Sequence, residues 1–336
     1  MTTLDAARHL ADEVLFPEAL AIEALPAVPR AQLDALAGAG LYGLYGPAGA
    51  GGLDATAPEG QAVTEALAGG CLSVAFVWAQ HHHAVRAVAA SDRDGLGEEW
   101  LGPLCRGQRR AGVAFAGLRR PGPPVLTATP APGGWRLEGH APWVSGWGRI
   151  DAVHAGARHG DDVVWALVDA TASESLSAEP LALAAVNSSA TVTLRFSGHF
   201  VPSGRVTSVE AFADFRAGDA RGLRANGSHA LGVADRCCRL LAHAGTDTQA
   251  TAQAVAAARD RLDEAAAGNG ADLAGARAAA SLVAVRAAMA LVAAGGGRSV
   301  LAANHAQRLA REAMFLLVFG QTPDIRAAQL GELLGR

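Results

Sequence analysis

Three consecutive histidines, His81, His82 and His83, stand in a stretch whose middle (Val74, Phe76, Val77, Trp78) is apolar on most sides. Consecutive side chains on a helix point about 100° apart, so these three cannot grip one metal as an i, i+4 pair does. One of them can face a cavity while the others line a boundary, and His82 is the candidate. His229, close to Asn226-Gly227-Ser228, is a second candidate, because an imidazole titrates near neutrality and can serve as a base. The bland alternative for each is a hydrogen-bonded structural histidine. The four cysteines (Cys71, Cys105, Cys237, Cys238) form no C-x-x-C pair and have no histidines at zinc spacing, so no metal is expected. There is no lysine in the chain, which excludes a Schiff-base lysine, a pyridoxal anchor and a phosphate-loop lysine.

The elements that must position these residues change texture twice. Residues 1–108 read as helical: Ala31 to Ala39 is periodic, Gly46 to Gly52 is a loop, and one long helix is predicted from Glu59 through Arg86. Residues 109–207 change to short alternating runs with Pro and Gly between them, and His159-Gly160-Asp161-Asp162 reads as a hairpin turn. This predicts a small, mostly antiparallel β-barrel or sandwich. Residues 208–336 return to helix, over Gly222–Ala244, Thr248–Ala267, Leu273–Ala294 and Val300–Phe319, which makes a four-helix bundle stopped by Gly320 and Pro323. The fold class is therefore α+β, in the order helices, β unit, bundle. Net charge is 28 minus 32, or −4, with no basic run. Neither nucleic acid nor an anionic membrane surface is an expected partner. No basic region followed by an apolar stretch opens the chain and no run reaches a membrane span, so a cytoplasmic location is expected.

That order, with four segments in sequence, resembles the acyl-CoA dehydrogenase family. Leu36 to Gly52 is similar to the family's GLFGLxxPEEYGG stretch, and Gly134 to Asp151 to GYxLNGxKxWITNGxxAD. Phe196 to Val206 is similar to FDxVxVPxxxV, and Gln307 to Ile325 to the last helix with its YEGTxxI end. The resemblance implies FAD as cofactor and an acyl-CoA or carrier-bound acyl group as substrate. It implies a homodimer or tetramer. Trp143, Val144 and Ser145 fall on W-I-T, where the Trp covers the flavin ring and the hydroxyl donates to its redox-active nitrogen. Thr322 and Asp324 fall on the positions that touch the diphosphate-ribose part.

Three departures accompany it. The flavin loop TEPGAGSD is replaced by Ala116 to Gly122. The amides of Phe115, Ala116 and Gly117 could still meet the flavin edge, and Arg119, Arg120 and Arg224 are candidates for the anionic part of the substrate. The R-x-x-F-G segment that clamps FAD from a neighbouring subunit is shortened away. The catalytic Glu of YEGT is Gly320 here, and its alternative site at the start of the bundle has no carboxylate. Asp219, Glu312 and the histidines remain as candidate bases. The expected function is a flavin-dependent acyl-thioester dehydrogenase. A flavin monooxygenase on the same fold, or a non-catalytic subunit of a hetero-oligomer, is the alternative.

Overall fold

A computed structural model describes residues 2–93, 95–219, 222–268 and 272–335, with the Asp219 side chain outside the description. The first layer contains α1 (Thr3–His9), α2 (Phe16–Glu23), α3 (Arg30–Gly38), α4 (Ala57–Gly70), α5 (Leu72–Ala89) and α6 (Leu96–Cys105). Thr56 opens α4 with a capping box: its hydroxyl accepts from the Glu59 amide while Glu59 reaches back to the Thr56 amide. The long helix predicted from Glu59 to Arg86 is two helices. Cys71 adopts an extended backbone between them, which breaks the chain of i→i−4 bonds. Apolar periodicity runs straight across such a break, so it was invisible in the pattern.

The middle of the chain forms one eight-stranded sheet. Its strands are β1 (Ala111–Ala114), β2 (Leu126–Ala131), β3 (Gly134–Val144), β4 (Ala152–His159), β5 (Asp162–Asp169), β6 (Leu176–Pro180), β7 (Val192–Pro202) and β8 (Val206–Ala211). The order is β6-β7-β3-β2-β4-β5-β8, with β1 on β4. Most pairs are antiparallel, while β1 and β2 both run parallel to β4. The hairpin predicted at His159 to Asp162 is present, with His159 paired to Asp162 and Gly160 in the left-handed region. Strand β8 extends to Ala211, beyond the predicted edge at residue 207.

The bundle follows: α7 (Phe212–Asp219), α8 (Gly222–His243), α9 (Gln249–Ala267), α10 (Leu273–Gly295) and α11 (His305–Val318). A further helix, α12 (Pro323–Leu333), stands where the sequence predicts a stop. Pro323 is tolerated there because the first helical amide has no partner to lose, and the Thr322 hydroxyl caps the helix by accepting from the Ile325 amide. Helix α10 is long and apolar enough to cross a bilayer by length and composition. Here it packs against α8, α9 and α11 and holds the fully buried Arg277.

One core runs through the first layer and the bundle and a second fills the sheet. Helices α4 and α8 touch backbone to backbone. A Cβ at Gly69 would sit 2.9 Å from the Gly232 carbonyl, and one at Gly232 would land on the Glu65 carbonyl. Arg236 locks the crossing by donating from Nε to the Gly69 carbonyl at 2.5 Å.

Candidate active site

The sheet, helix α5 and the end of α11 meet along a seam lined by aromatic rings. From α5, Phe76 makes edge contacts with Phe315 and Phe319, at ring centroid distances of 5.2 and 5.0 Å. Two turns along the same face, His83 stacks on Phe115, with centroids 5.5 Å apart. Phe115 leads into a short 3-10 turn, Ala116–Arg119, and the Arg119 guanidinium lies 4.6 Å over its ring. From α8, His229 meets the edge of Phe319 at 5.6 Å.

Position 320 closes the seam. Gly320 has φ +62°, a left-handed conformation that a side chain strains. A Cβ there would lie 2.7 Å from the Asn226 amide nitrogen and 4.0 Å from an Arg119 nitrogen. The sequence departs from the YEGT pattern at the residue where the fold has given the space to Asn226. Arg277 holds this turn from beneath: it donates to the carbonyls of Leu316 and Phe319, both at 3.2 Å. Those carbonyls are among the ones that a helix C-terminus leaves open.

The three consecutive histidines separate as their spacing requires. His81 bonds to the Leu104 carbonyl and takes the Ala111 amide, each at 3.1 Å, pinning α5 to α6 and β1. His82 is sealed between the edges of Tyr45 and Trp78, and neither ring nitrogen has a protein partner. His83, not His82, faces the seam. Its Nδ1 lies 2.8 Å from Nδ1 of His154, whose Nε2 lies 2.8 Å from the Thr207 hydroxyl. Burial holds all of these imidazoles below the ordinary histidine range, His81 at about 3 and His83 at about 4. His229 is also held at about 4 by burial and by nearby Arg277, against a smaller opposing pull from the Asn226 and Ala225 backbone, and neither nitrogen has a partner in good hydrogen-bond geometry.

Other expected site residues lie elsewhere. Glu312 is buried against Arg308 in the bundle, and burial pushes its carboxyl up to about 7. With its charge committed to Arg308, it is not brought to the seam. Arg224 is likewise consumed: its Nε donates to Asp263 at 2.6 Å and its Nη1 to the Ser228 hydroxyl at 2.9 Å, with Glu65 close by. The Ser145 hydroxyl pairs with Thr191 at 2.8 Å inside the sheet, and Thr191 pairs on with Ser189 at 2.7 Å. This chain of hydroxyls could not be read from Trp-Val-Ser alone, because Thr191 is distant in sequence. Trp143 stands half exposed with φ +63° at the end of β3, and Val144 is buried behind it. Asp324 lies in the first turn of α12, where the helix dipole favours an acid.

A flavin has suitable partners among these residues. The backbone N–H groups of Ala116, Gly117 and Ser145 have no hydrogen-bond partner among the described residues. Together with the exposed Trp143 indole they form a set of donors and an aromatic plane along one edge of the sheet. A cavity of about 130 Å³ lies beside the 116–119 turn. Arg120, Arg158, Arg216 and His140 line it together with Phe115 and Gly117, and none of its lining residues is acidic.

Residues 2–108 match the family model described as the N-terminal domain of acyl-CoA dehydrogenase. The whole chain superposes on solved structures at low identity. Butyryl-CoA dehydrogenase from Megasphaera elsdenii gives a TM-score of 0.84 at 18% identity, covering 99% of this chain and 97% of that one. A glutaryl-coenzyme A dehydrogenase in complex with glutaryl-CoA gives 0.86 at 17%, covering 99% and 95%. Dibenzothiophene monooxygenase from Paenibacillus sp. A11-2 gives 0.78 at 19%, covering 99% and 97%. No curated protein matches in sequence. Residues 2–108 are thus similar to the N-terminal domain of the acyl-CoA dehydrogenases, and the full length of the chain carries the acyl-CoA dehydrogenase fold.

Proposed function

We propose that this chain is a cytoplasmic, FAD-dependent oxidoreductase acting on an acyl group that is carried as a thioester on CoA or an acyl-carrier protein. The observation that carries the reading is the arginine-lined cavity beside Phe115 and Gly117. Arg120, Arg158 and Arg216 line it with no acid among the lining residues. Guanidinium forks suit phosphate oxygens, and the cavity adjoins the aromatic seam where the acyl end would lie. When bound, the flavin supplies hydride acceptance. The amides of Ala116, Gly117 and Ser145 would hold its edge and Trp143 would cover it, while the seam's rings exclude water from the acyl chain. A homo-oligomer belongs to the same reading.

One observation favours a second reading. No described carboxylate reaches position 320, so a dehydrogenase would need another group to take the α-proton. A monooxygenase that uses reduced flavin and oxygen has no such need. Purified protein loaded with FAD and mixed anaerobically with butyryl-CoA separates the two. Bleaching of the flavin band supports the dehydrogenase. Oxygen consumption by the reduced protein with an aromatic heterocycle, without bleaching by the thioester, supports the second. Protein that takes up no FAD overturns both. For the thioester reading, replacing Arg120, Arg158 and Arg216 by Ala raises KM for butyryl-CoA at least tenfold. It leaves KM for butyryl-pantetheine, which lacks the phosphates, within twofold.

A further inference from the structure

A buried line of polar groups starts on α5 and ends on the sheet. His83 Nδ1 meets His154 Nδ1 at 2.8 Å, His154 Nε2 meets the Thr207 hydroxyl at 2.8 Å, and that hydroxyl donates to the Trp165 carbonyl at 3.2 Å. His154 and Thr207 are buried, and the His154 and Trp165 rings stack with centroids 5.1 Å apart. The direction of every hydrogen atom follows from the far end. A carbonyl only accepts, so Thr207 spends its single proton on Trp165. Its oxygen then accepts from His154, which puts the His154 proton on Nε2 and leaves Nδ1 bare. A bare Nδ1 can bond to His83 Nδ1 only if His83 carries its proton there. The reverse arrangement forfeits the bond to Trp165, a loss of one hydrogen bond in a buried setting.

We propose that His154 and Thr207 fix His83 as its Nδ1–H tautomer, so that a bare Nε2 stands in the seam as a hydrogen-bond acceptor for the reacting ligand. Nε2 has no protein partner among the described residues, and His83 keeps some exposure where His154 has almost none. The groups that face His83 agree with a neutral ring. Phe115 stacks on it, Trp165 lies tilted against it, and the nearby cations Arg86 and Arg119 disfavour a second proton. Such a nitrogen selects for a ligand that offers an N–H or O–H, and it gives nothing to a carbonyl or phosphate oxygen. The amides of a pantetheine arm are donors of this class. His83 is the ligand-facing residue, and His154 and Thr207 are positioning residues that act through it.

The choice of ligand rests on the flavin-oxidoreductase reading; the tautomer does not. Long-range ¹H–¹⁵N spectra of the full chain with ¹⁵N-histidine read the tautomer with no ligand added. The expected pattern is a protonated Nδ1 and bare Nε2 on His83, and the opposite on His154. Thr207→Ser keeps this pattern, and Thr207→Val shifts both rings toward the other tautomer. A proton on His83 Nε2 in the wild-type chain overturns the proposal, and so does an unchanged pattern in a folded Thr207→Val. If that variant does not fold, the wild-type and Thr207→Ser spectra still decide. Butyryl-CoA is then added to FAD-loaded protein. A shift of the His83 Nε2 resonance supports the acceptor role, and bound butyryl-CoA with that resonance unmoved overturns it. Absence of FAD uptake beside the expected tautomer sinks the flavin reading and leaves the tautomer standing.

Discussion

On the sheet side of the seam, polar side chains are paired in lines: Ser145 with Thr191 and Ser189, His83 with His154 and Thr207. On the bundle side the pairing is incomplete. Both nitrogens of His229 and Nε of Arg277 are buried without partners, and Gly320 leaves a left-handed turn where Asn226 fills the gap. An unpaired buried polar atom is expensive. The lines of the sheet wall close on the protein's own groups, whereas the bundle wall leaves some of its own without a described partner.

The strongest challenge to this contrast is acid, which acts on both walls. His83 and His229 have folded values of about 4 against an unfolded value near 6.5. Between those limits the unfolded chain binds more protons, so stability is full above pH 6.5 and falls as pH drops toward 4. Each of the two contributes on the order of 3 kcal/mol to that loss. Thermal melts at pH 7.5, 6, 5 and 4 are expected to show Tm falling steeply below 6, and a flat profile would mean that these imidazoles are already charged or solvated.

A smaller effect separates the walls. Gly320→Glu places a side chain in a left-handed turn and against Asn226, at an expected cost of about 2–3 kcal/mol in urea unfolding. Adding Asn226→Gly recovers about 1 kcal/mol of it by removing the collision. Recovery of nothing would show that Asn226 does not fill the base position.

The smallest effect concerns the sheet wall. Ser145→Ala leaves the Thr191 hydroxyl short of one partner while Ser189 remains, at about 1 kcal/mol. Because the Ser145 hydroxyl is already engaged, FAD uptake followed by absorbance changes less than twofold. Trp143→Ala lowers it about tenfold. Equal losses in both variants would restore the hydroxyl to the flavin.

Much of the architecture was legible because it rests on periodicity and punctuation. The β hairpin at Gly160 and the order of the layers came from local signals. The break at Cys71 and the helix after Pro323 did not, since an extended residue in an apolar run leaves no mark and Pro both ends and begins helices. Site residues were harder. Trp143 and the 115–117 amides are named only because the segments around them resemble those of a known family. The roles of Ser145, Arg224 and Glu312 depend on Thr191, Asp263 and Arg308, which only the fold brings near. Among the three histidines the 100° spacing predicted different fates but could not say that His83 would face the seam, because His154 lies 71 residues away.

The bare crossing of α4 and α8 at Gly69 and Gly232 works as a gauge block. It sets the spacing between the layer that carries His83 and the helix that carries Asn226 and His229, with no side chain there to yield. A single added methyl at Gly232 would wedge the two apart along their length. The seam between them would widen with it, although the altered residue lies outside the seam.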